Sequence, residues 1–338
     1  MNLTPKNISV IIPTYNDCDN LDQCLTALIK ARGEFPVTIL VVDDASNDAT
    51  AEIVMKHKVE YLLNRHNNGQ SYGRNLGAER SDSSYILFLD SDVVVGEDYF
   101  QKAFEFIHMD KPEGLVALHG VFSLNHPCKK WSSLFYNTIQ HIHTSTPCYS
   151  YAVNTSCFLI KRQEFMDIGK FNEEMRFLED EEFGQRMAAL CKYALHGPVE
   201  FVHLKQVTMT YLLWQFILGG KIHSRMTVDQ PVGAMKVDNE TVKVGQNRMI
   251  QKWLVAVLMG VFAFLILNFV KDIYWKTSLI MISSLIGLYL MKETLILFKV
   301  KSNPLFFIVG TFVFIISPWL IIYGLFVGKF EQLKGNDS

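Results

Sequence analysis

The chain has 338 residues, of which 49% are hydrophobic and 20% are charged, and its formal net charge is -2. This length allows one large domain or two small ones with a sizeable core, and the balanced charge gives no reason to expect nucleic acid as a partner. The six cysteines form no CxxC pair and no Cys/His ligand spacing, which disfavours a zinc site and a secreted disulfide framework and favours a reducing compartment.

The first part of the chain alternates apolar runs with amphipathic stretches. Three runs rich in β-branched and aromatic residues, at 8–13, 37–44 and 84–92, are bounded by turn residues, as are strands buried on both faces of a parallel sheet. Between the first two, NLDQCLTALIKA has leucines at helical spacing. We therefore predict an α/β fold with a mostly parallel sheet flanked by helices. No signal peptide is recognisable at the start, so we expect the chain to begin in the cytosol.

Each of the three predicted strands ends in polar residues: PTYND after the first, DDASND after the second and DSD after the third. Ligands of an open parallel sheet bind at the carboxyl ends of the strands, so we expect the three clusters to converge on one crevice. A single cluster of this kind could equally end a strand and cap the next helix. Three together favour a binding crevice.

Two aspartates one residue apart, Asp90 and Asp92, follow the third strand. Neighbouring carboxylates resist joint ionisation unless a cation lies between them, which indicates a divalent metal. Oxygen ligands without an accompanying cysteine favour Mg²⁺ or Mn²⁺ over zinc. Because Mg²⁺ usually completes its shell with water and phosphate oxygens, the pair also predicts a phosphorylated substrate.

Five motifs occur in order along the chain: SVIIPTYND, VVDDASND, GQSYGRNLG, LFLDSD and FLEDEEFGQRM. Together they resemble the family 2 glycosyltransferases of the GT-A fold, and the resemblance covers roughly residues 7–205. It implies a nucleotide-sugar donor, with UDP or GDP as the nucleotide, and a GT-A fold for this region. The residues that the resemblance assigns to the nucleotide-sugar are Pro13, Thr14, Tyr15, Asp44, Arg74, Asn75 and Asp90.

The resemblance also implies individual roles within this pocket. Thr14 and Tyr15 would lie against the nucleotide base, and Asp44 would accept a hydrogen bond from it. Asp90 and Asp92 would bind the ribose and the metal diphosphate.

Sugar transfer also needs a base that deprotonates the acceptor hydroxyl. Four consecutive acids open a predicted helix in LEDEEFGQRM, although acids are common at helix N-termini because of the helix dipole. By the resemblance, Asp180 is the catalytic base, Glu179 helps to shape the acceptor site, and direct displacement inverts the anomeric centre. Arg186 is expected to pair either with these acids or with the diphosphate.

Three histidines are candidates for further ligands. His203, in the strand-like run VEFVHLK, is a candidate metal ligand or diphosphate contact, or else a partly buried histidine bonded to backbone. His141 and His143 have a spacing that suits one face of a strand, but no acid lies beside them to complete a metal site.

The C-terminal part contains three long apolar stretches, each close to the ~20 residues that span a bilayer core. The middle one carries a lysine and a glutamate in its last two turns. The predicted transmembrane helices are residues 253–270, 277–298 and 304–327. Lysine and arginine residues before the first span and between the second and third favour a multi-pass protein of the cytoplasmic membrane, with its catalytic domain in the cytoplasm.

We accordingly predict two domains. Residues 1–245 form the cytosolic domain, including the segment YLLWQFILGG as an amphipathic helix beside the membrane, and residues 246–338 form the membrane domain. The segment QNRMIQKW lacks the spacing of the QxxRW motif of processive synthases, which favours single sugar transfer. The membrane anchor favours the bilayer as a partner and a membrane acceptor, such as a polyprenyl-linked glycan or a glycolipid.

Two alternatives stay open. A membrane-anchored binding or scaffold protein could carry a degenerate transferase domain, although such a module has no need of a base at Asp180. A nucleotidyltransferase also uses a metal in an α/β crevice, but it normally carries a glycine-rich, basic loop early in the chain, which PTYNDCDN does not supply.

Overall fold

The computed structural model describes residues 7–145, 147–151, 153–223, 235–237, 240–242 and 323. Of the three predicted membrane spans, only Tyr323 falls within these ranges, so the spans lie outside the described residues. Among the helices that are described, none has the length and apolar character needed to cross a bilayer.

Nine of the described strands form one sheet, and two more form a separate antiparallel pair. The strands are β1 (Ile8–Thr14), β2 (Val37–Asp43), β3 (Glu60–Leu63), β4 (Tyr85–Leu89), β5 (Val93–Val95), β6 (Leu115–Phe122), β7 (Cys148–Ser150), β8 (Cys157–Lys161), β9 (Tyr193–His203), β10 (Met235–Val237) and β11 (Glu240–Val242). The helices are α1 (Cys18–Arg32), α2 (Thr50–His57), α3 (Gln70–Arg80), α4 (Tyr99–His108), α5 (Trp131–Thr144), α6 (Arg162–Ile168), α7 (Glu179–Ala189) and α8 (Met209–His223).

The strand order in the sheet is β3-β2-β1-β4-β8-β6-β9-β5, with β7 paired to β9. The first four strands of this order are parallel neighbours. Beyond β4 the directions are mixed: β8 runs antiparallel to β4 and β6, β6 and β9 are parallel to each other, and both β5 and β7 run antiparallel to β9. The α/β prediction is confirmed, but the sheet is mixed rather than mostly parallel.

The apolar residues whose spacing predicted β1 and α1 are also the residues that pack these two elements into the core. Buried side chains occupy both faces of β1, as expected for a strand in the middle of a covered sheet. On α1, the apolar side chains recur every three or four residues and are buried against one face of that sheet. The helix ends at Arg32 and is followed by Gly33, whose combination of φ 48° and ψ -124° is favourable only for glycine.

The chain divides into two compact units. One comprises Met1–Cys128, Gln140–Lys205 and Val228–Gly245 and contains the sheet, and the other comprises Lys129–Ile139, Gln206–Thr227 and Gln246–Ser338. The predicted domain boundary after residue 245 stays a prediction.

Two segments for which the sequence suggested a conformation are helical in the structure. YLLWQFILGG lies within α8, as predicted for a helix. His141 and His143 lie near the end of α5, so the strand interpretation of their spacing was wrong. The Nδ1 atom of His141 is bonded to the backbone oxygen of Phe122 over 2.6 Å.

Candidate functional site

Asp90, Asp92 and His203 come together at one edge of the sheet. Asp90 follows β4 directly, and Asp92 lies in the turn that leads to β5. Strand β5 pairs antiparallel with β9, and Val93 lies opposite His203 in this pairing. The pairing therefore places His203 close to the two aspartates. One ligand atom from each of the three side chains lies within 4.8 Å of the others. The sequence prediction named all three residues, and the sheet brings them into one cluster.

The electrostatics of this cluster suit a cation. Burial disfavours the charged form of Asp90, but the Arg74 guanidinium and His203 outweigh it and hold the pKa of Asp90 below its usual value. Burial also lowers the pKa of His203, although both aspartates oppose the shift, so its imidazole is neutral near pH 7. Two carboxylates and a neutral imidazole form a donor set for a divalent metal ion, and the set alone does not distinguish Mg²⁺ from Mn²⁺.

Arg74, on α3, links this cluster to the start of α7. Its guanidinium is 1% exposed and donates from Nη2 to Asp90 Oδ1 and from Nη1 to Glu179 Oε1, each over 2.7 Å. Gln70, one turn earlier on α3, donates to the same Glu179 oxygen over 2.6 Å. The Glu179 carboxylate, which the resemblance assigns to the acceptor site, is thus buried and bound by α3 in the structure. Its acceptor-shaping role stays a prediction.

Asp180 is the second residue of α7 and is only partly buried. Burial, reinforced by the negative charges of Glu179 and Glu181, raises the pKa of Asp180 well above the usual range of an aspartate. A carboxylate with raised proton affinity is suited to take a proton from a hydroxyl. Burial likewise raises the pKa of Glu181 to about 7, a feature that the sequence did not indicate.

The residues after β1 and β2 occupy the same edge of the sheet. Tyr15 is half exposed, whereas Thr14 is buried, and its hydroxyl has no hydrogen-bond partner in the part of the chain that the structure describes. Asp44 accepts hydrogen bonds from the side chain of Asn64 and from the backbone N–H groups of Asn68 and Gly69, over 2.7 to 3.0 Å. It therefore holds the loop that leads into α3, in addition to the base contact predicted for it.

Two of the predicted residues have mainly structural contacts. Asn75 donates to the backbone oxygen of Phe171 and accepts from its N–H, which ties α3 to the segment before α7. Arg186 forms an ion pair with Glu182 and donates to the backbone oxygens of Ile168 and Lys170, so the structural alternative for this arginine is the one found. Pro13 lies within β1, one residue before Thr14.

Backbone conformation also marks this edge of the sheet. Asn16, Ala45 and Leu178 have positive φ angles of 50°, 68° and 59°, in the left-handed region that non-glycine residues seldom adopt. They follow β1, follow β2 and precede α7, respectively. Arg176, two residues before Leu178, packs its side chain over Gly69 and donates to the side chain of Asn67 over 2.8 Å. Sequence reasoning missed these features because a sequence motif does not show the backbone conformation of its residues or their contacts with distant side chains.

Residues 9–168 match the protein family described as Glycosyl transferase family 2. The chain is 34% identical over 108 residues to Glycosyltransferase GlyA of Streptococcus pneumoniae serotype 4, which is 30% of this chain and 15% of that protein. It is 28% identical over 185 residues to Poly(ribitol-phosphate) beta-N-acetylglucosaminyltransferase TarS of Staphylococcus aureus strain Mu50, which is 52% of this chain and 31% of that protein. The match thus spans less than a third of the length of either relative.

Among solved structures, the chain is similar to the mannosyltransferase PcManGT from Pyrobaculum calidifontis, determined in complex with GDP-Man and Mn²⁺. The sequence identity is 16% and the TM-score is 0.49, and the similarity covers 66% of this chain and 63% of that one.

Proposed function

Because residues 9–168 form a glycosyltransferase family 2 domain with an α/β, GT-A-like sheet, we propose that this chain transfers a sugar from a nucleotide-sugar donor to an acceptor hydroxyl. One observation carries the proposal beyond family membership. The cluster of Asp90, Asp92 and His203 is joined through a single buried arginine to the start of the helix that bears Asp180. A donor-binding group and a base are thus held in fixed relation.

The donor end of the site consists of this cluster and the loops after β1 and β2. Asp90, Asp92 and His203 would hold a divalent metal, which when bound neutralises the charge that develops on the leaving nucleoside diphosphate. The half-exposed ring of Tyr15 offers a face for the nucleotide base. The buried Thr14 hydroxyl, which has no hydrogen-bond partner among the described residues, offers a hydrogen-bonding group beside it.

The acceptor end is centred on Asp180. Its carboxylate takes the proton of the acceptor hydroxyl as that oxygen bonds to the anomeric carbon and the bond to the diphosphate breaks. A single displacement of this kind inverts the anomeric centre. The name of the relative TarS specifies a beta-linked product, which agrees with inversion of an alpha-linked donor.

The membrane part of the proposal rests on sequence and on α8. Three apolar stretches follow this helix in the chain. On α8 itself, Met209 and Trp214 are exposed, and Trp214 is 50% exposed. Tryptophan is a favoured residue at membrane interfaces. We propose a multi-pass protein of the cytoplasmic membrane whose catalytic domain lies in the cytoplasm and adds one sugar at a time to a lipid-linked glycan or glycolipid.

The test uses the full chain, purified in detergent, in two steps. Isothermal titration with UDP and then GDP, each with and without Mn²⁺, should give metal-dependent binding of one nucleotide that Asp92→Ala abolishes. Transfer to polyprenyl-linked and soluble acceptors is then measured with the matching nucleotide-sugars. Asp180→Asn should stop transfer and spare donor binding.

Each negative result has its own meaning. If neither nucleotide binds, UDP- and GDP-sugars are excluded as donors, and either a degenerate binding domain or a donor with another nucleotide is favoured. If nucleotide binds and a soluble acceptor outcompetes every lipid, only the membrane acceptor is wrong. Equal loss of binding and transfer in Asp180→Asn would show that Asp180 is not the base.

A further inference from the structure

The carboxylate of Asp17 connects two loops of the proposed site. Asp17 immediately precedes α1, in the loop that follows β1, and its Oδ2 accepts a hydrogen bond from the hydroxyl of Ser91 over 2.7 Å. Its Oδ1 accepts a second hydrogen bond from the side-chain amide of Asn20, also over 2.7 Å. Ser91 is the residue between Asp90 and Asp92 and is almost fully buried.

The backbone of this aspartate turn is fixed at both ends. The N–H of Asp90 donates to the backbone oxygen of Ser156 over 3.2 Å, and the N–H of Leu204 donates to the backbone oxygen of Asp92 over 2.7 Å. A third bond, from the N–H of Val93 to the backbone oxygen of Asp90 over 3.2 Å, closes the turn, and the Ser91 side chain anchors the central residue, where two peptide planes meet, to the loop after β1. Rotation there would change the directions of both neighbouring carboxylates.

We propose that Asp17 is a positioning residue for the metal-binding pair: through Ser91 it fixes the turn that aims the carboxylates of Asp90 and Asp92 at a divalent cation. This inference rests on the proposed function, since it assumes that the pair binds a metal. Groups that orient metal ligands commonly account for about 10- to 100-fold in metal affinity.

Asp17 also adds a negative charge near the cluster, so an effect of charge must be separated from an effect of the hydrogen bond. Asp17→Asn removes the charge but keeps an oxygen that can accept from Ser91, and the amide of Asn20 can turn to present its own oxygen. Asp19, two residues further on, is exposed, and its contact in the structure is with the thiol of Cys18. Asp19→Ala is therefore a matched control that removes one acid from the same helix start.

The experiment measures Mn²⁺ binding to the full chain in detergent, in the presence of saturating UDP and, separately, GDP. Free Mn²⁺ is followed by its electron paramagnetic resonance signal, so the readout does not depend on transfer activity. We expect Asp17→Ala and Ser91→Ala each to weaken Mn²⁺ binding by about 10- to 100-fold. The double variant should be no weaker than Asp17→Ala alone, because both changes break one link. Asp17→Asn and Asp19→Ala should bind close to the wild-type level.

Several results would overturn the inference while leaving the proposed function intact. These are wild-type affinity in Asp17→Ala, additive losses in the double variant, or a loss in Asp17→Asn equal to that in Asp17→Ala, which would assign the effect to charge. Absence of Mn²⁺ binding by the wild-type chain with both nucleotides would instead overturn the metal site itself. Should Asp17→Ala fail to fold, the contrast between Ser91→Ala and Asp17→Asn decides the question.

Discussion

Arg74 and Glu179 form a buried ion pair in which Nη1 and Oε1 are 2.7 Å apart, with both side chains at most 3% exposed. The same guanidinium binds Asp90 through its other terminal nitrogen. One positive charge therefore compensates two carboxylates that belong to different ends of the proposed reaction. This sharing makes Arg74 important both for stability and for the relation between donor and base.

Replacing Arg74 by methionine is expected to destabilise the protein by about 3–5 kcal/mol, because it leaves the buried carboxylate of Glu179 and the partly buried carboxylate of Asp90 without a compensating positive charge. Combining it with Glu179→Gln should recover part of that loss, since one of the two uncompensated charges is then absent. The stability of the single and the double variant is measured as the free energy of unfolding, determined by urea titration in detergent. Arg80→Met, at the exposed end of the same helix, is the control and should change little. A double variant no more stable than Arg74→Met would contradict this account.

Asp180→Asn is expected to lower transfer activity and to raise the stability of the folded protein. The raised pKa of Asp180 means that its ionised form is disfavoured in the folded protein, so its contribution to stability is full at low pH and is lost as the pH rises through the folded-state pKa. The neutral asparagine avoids that loss. We expect transfer to fall by about 10²- to 10⁴-fold, while the melting temperature exceeds that of the wild type at pH 8 and approaches it at pH 4.

Glu181→Gln is the comparison variant for Asp180→Asn. Since burial raises the pKa of Glu181 to about 7, the glutamine variant should also gain stability above pH 7. It should nevertheless retain transfer, because the proposed base is Asp180. A glutamine variant as inactive as Asp180→Asn would point to Glu181 as the proton acceptor.

His119 is expected to make the fold sensitive to acid. It is fully buried on β6 and stacked on His196, with ring centroids 4.6 Å apart, and burial, followed by the neighbouring His196, lowers its pKa to about 3. An unfolded histidine titrates near 6.5, so unfolding takes up a proton below that pH and stability is lost as the pH falls from about 6.5 toward 3. His119→Leu should reduce proton uptake on unfolding at pH 5.5 by about one proton. Unchanged proton uptake in His119→Leu would contradict this account.

Gly184 tests how closely α7 must approach its neighbour. A Cβ atom at this position would overlap with the backbone oxygen of Tyr151, which cannot move as a side chain can. Alanine gains about 1 kcal/mol of helix propensity, but overpacking costs about 1–3 kcal/mol, so we expect net destabilisation and a lower kcat from displacement of Asp180. Nucleotide affinity should be unchanged. Ala189→Gly, on the exposed end of the same helix, isolates the propensity effect; equal melting temperatures for wild type and Gly184→Ala would refute the close contact.

The part of the site that follows β1, β2 and β4 could be predicted from the sequence, because short local patterns identify these strands. Apolar runs mark β1, β2 and β4, and the rule that parallel strands end at one edge brings their polar residues together. The position of His203 was harder, because the pairing of β5 with β9 joins residues about a hundred positions apart and no local pattern fixes its register. The strand-like run VEFVHLK made His203 a candidate ligand, but only the strand pairing explains why this histidine lies near Asp92.

Contacts that a single side chain makes with residues distant in the chain could not be predicted from the sequence. Arg74 was expected in the nucleotide pocket, yet nothing in GRN indicates that one guanidinium would bind both Asp90 and Glu179. Asp17 lies in the polar cluster PTYND, but nothing in that cluster indicates a hydrogen bond with Ser91. The helical segment around His141 was misread for a related reason, since two residues at spacing i, i+2 carry too little periodicity to separate strand from helix.

The left-handed residues Asn16, Ala45 and Leu178 have a consequence for how sequence variation can occur in this protein. Glycine relieves a positive φ and asparagine tolerates it, whereas valine and isoleucine are excluded by the clash of their branched Cβ with the backbone. A complete mutational scan selected only for folding should therefore accept glycine at these three positions and reject β-branched residues. Such a tolerance map would reveal the backbone turns beside β1, β2 and α7 without any substrate being present.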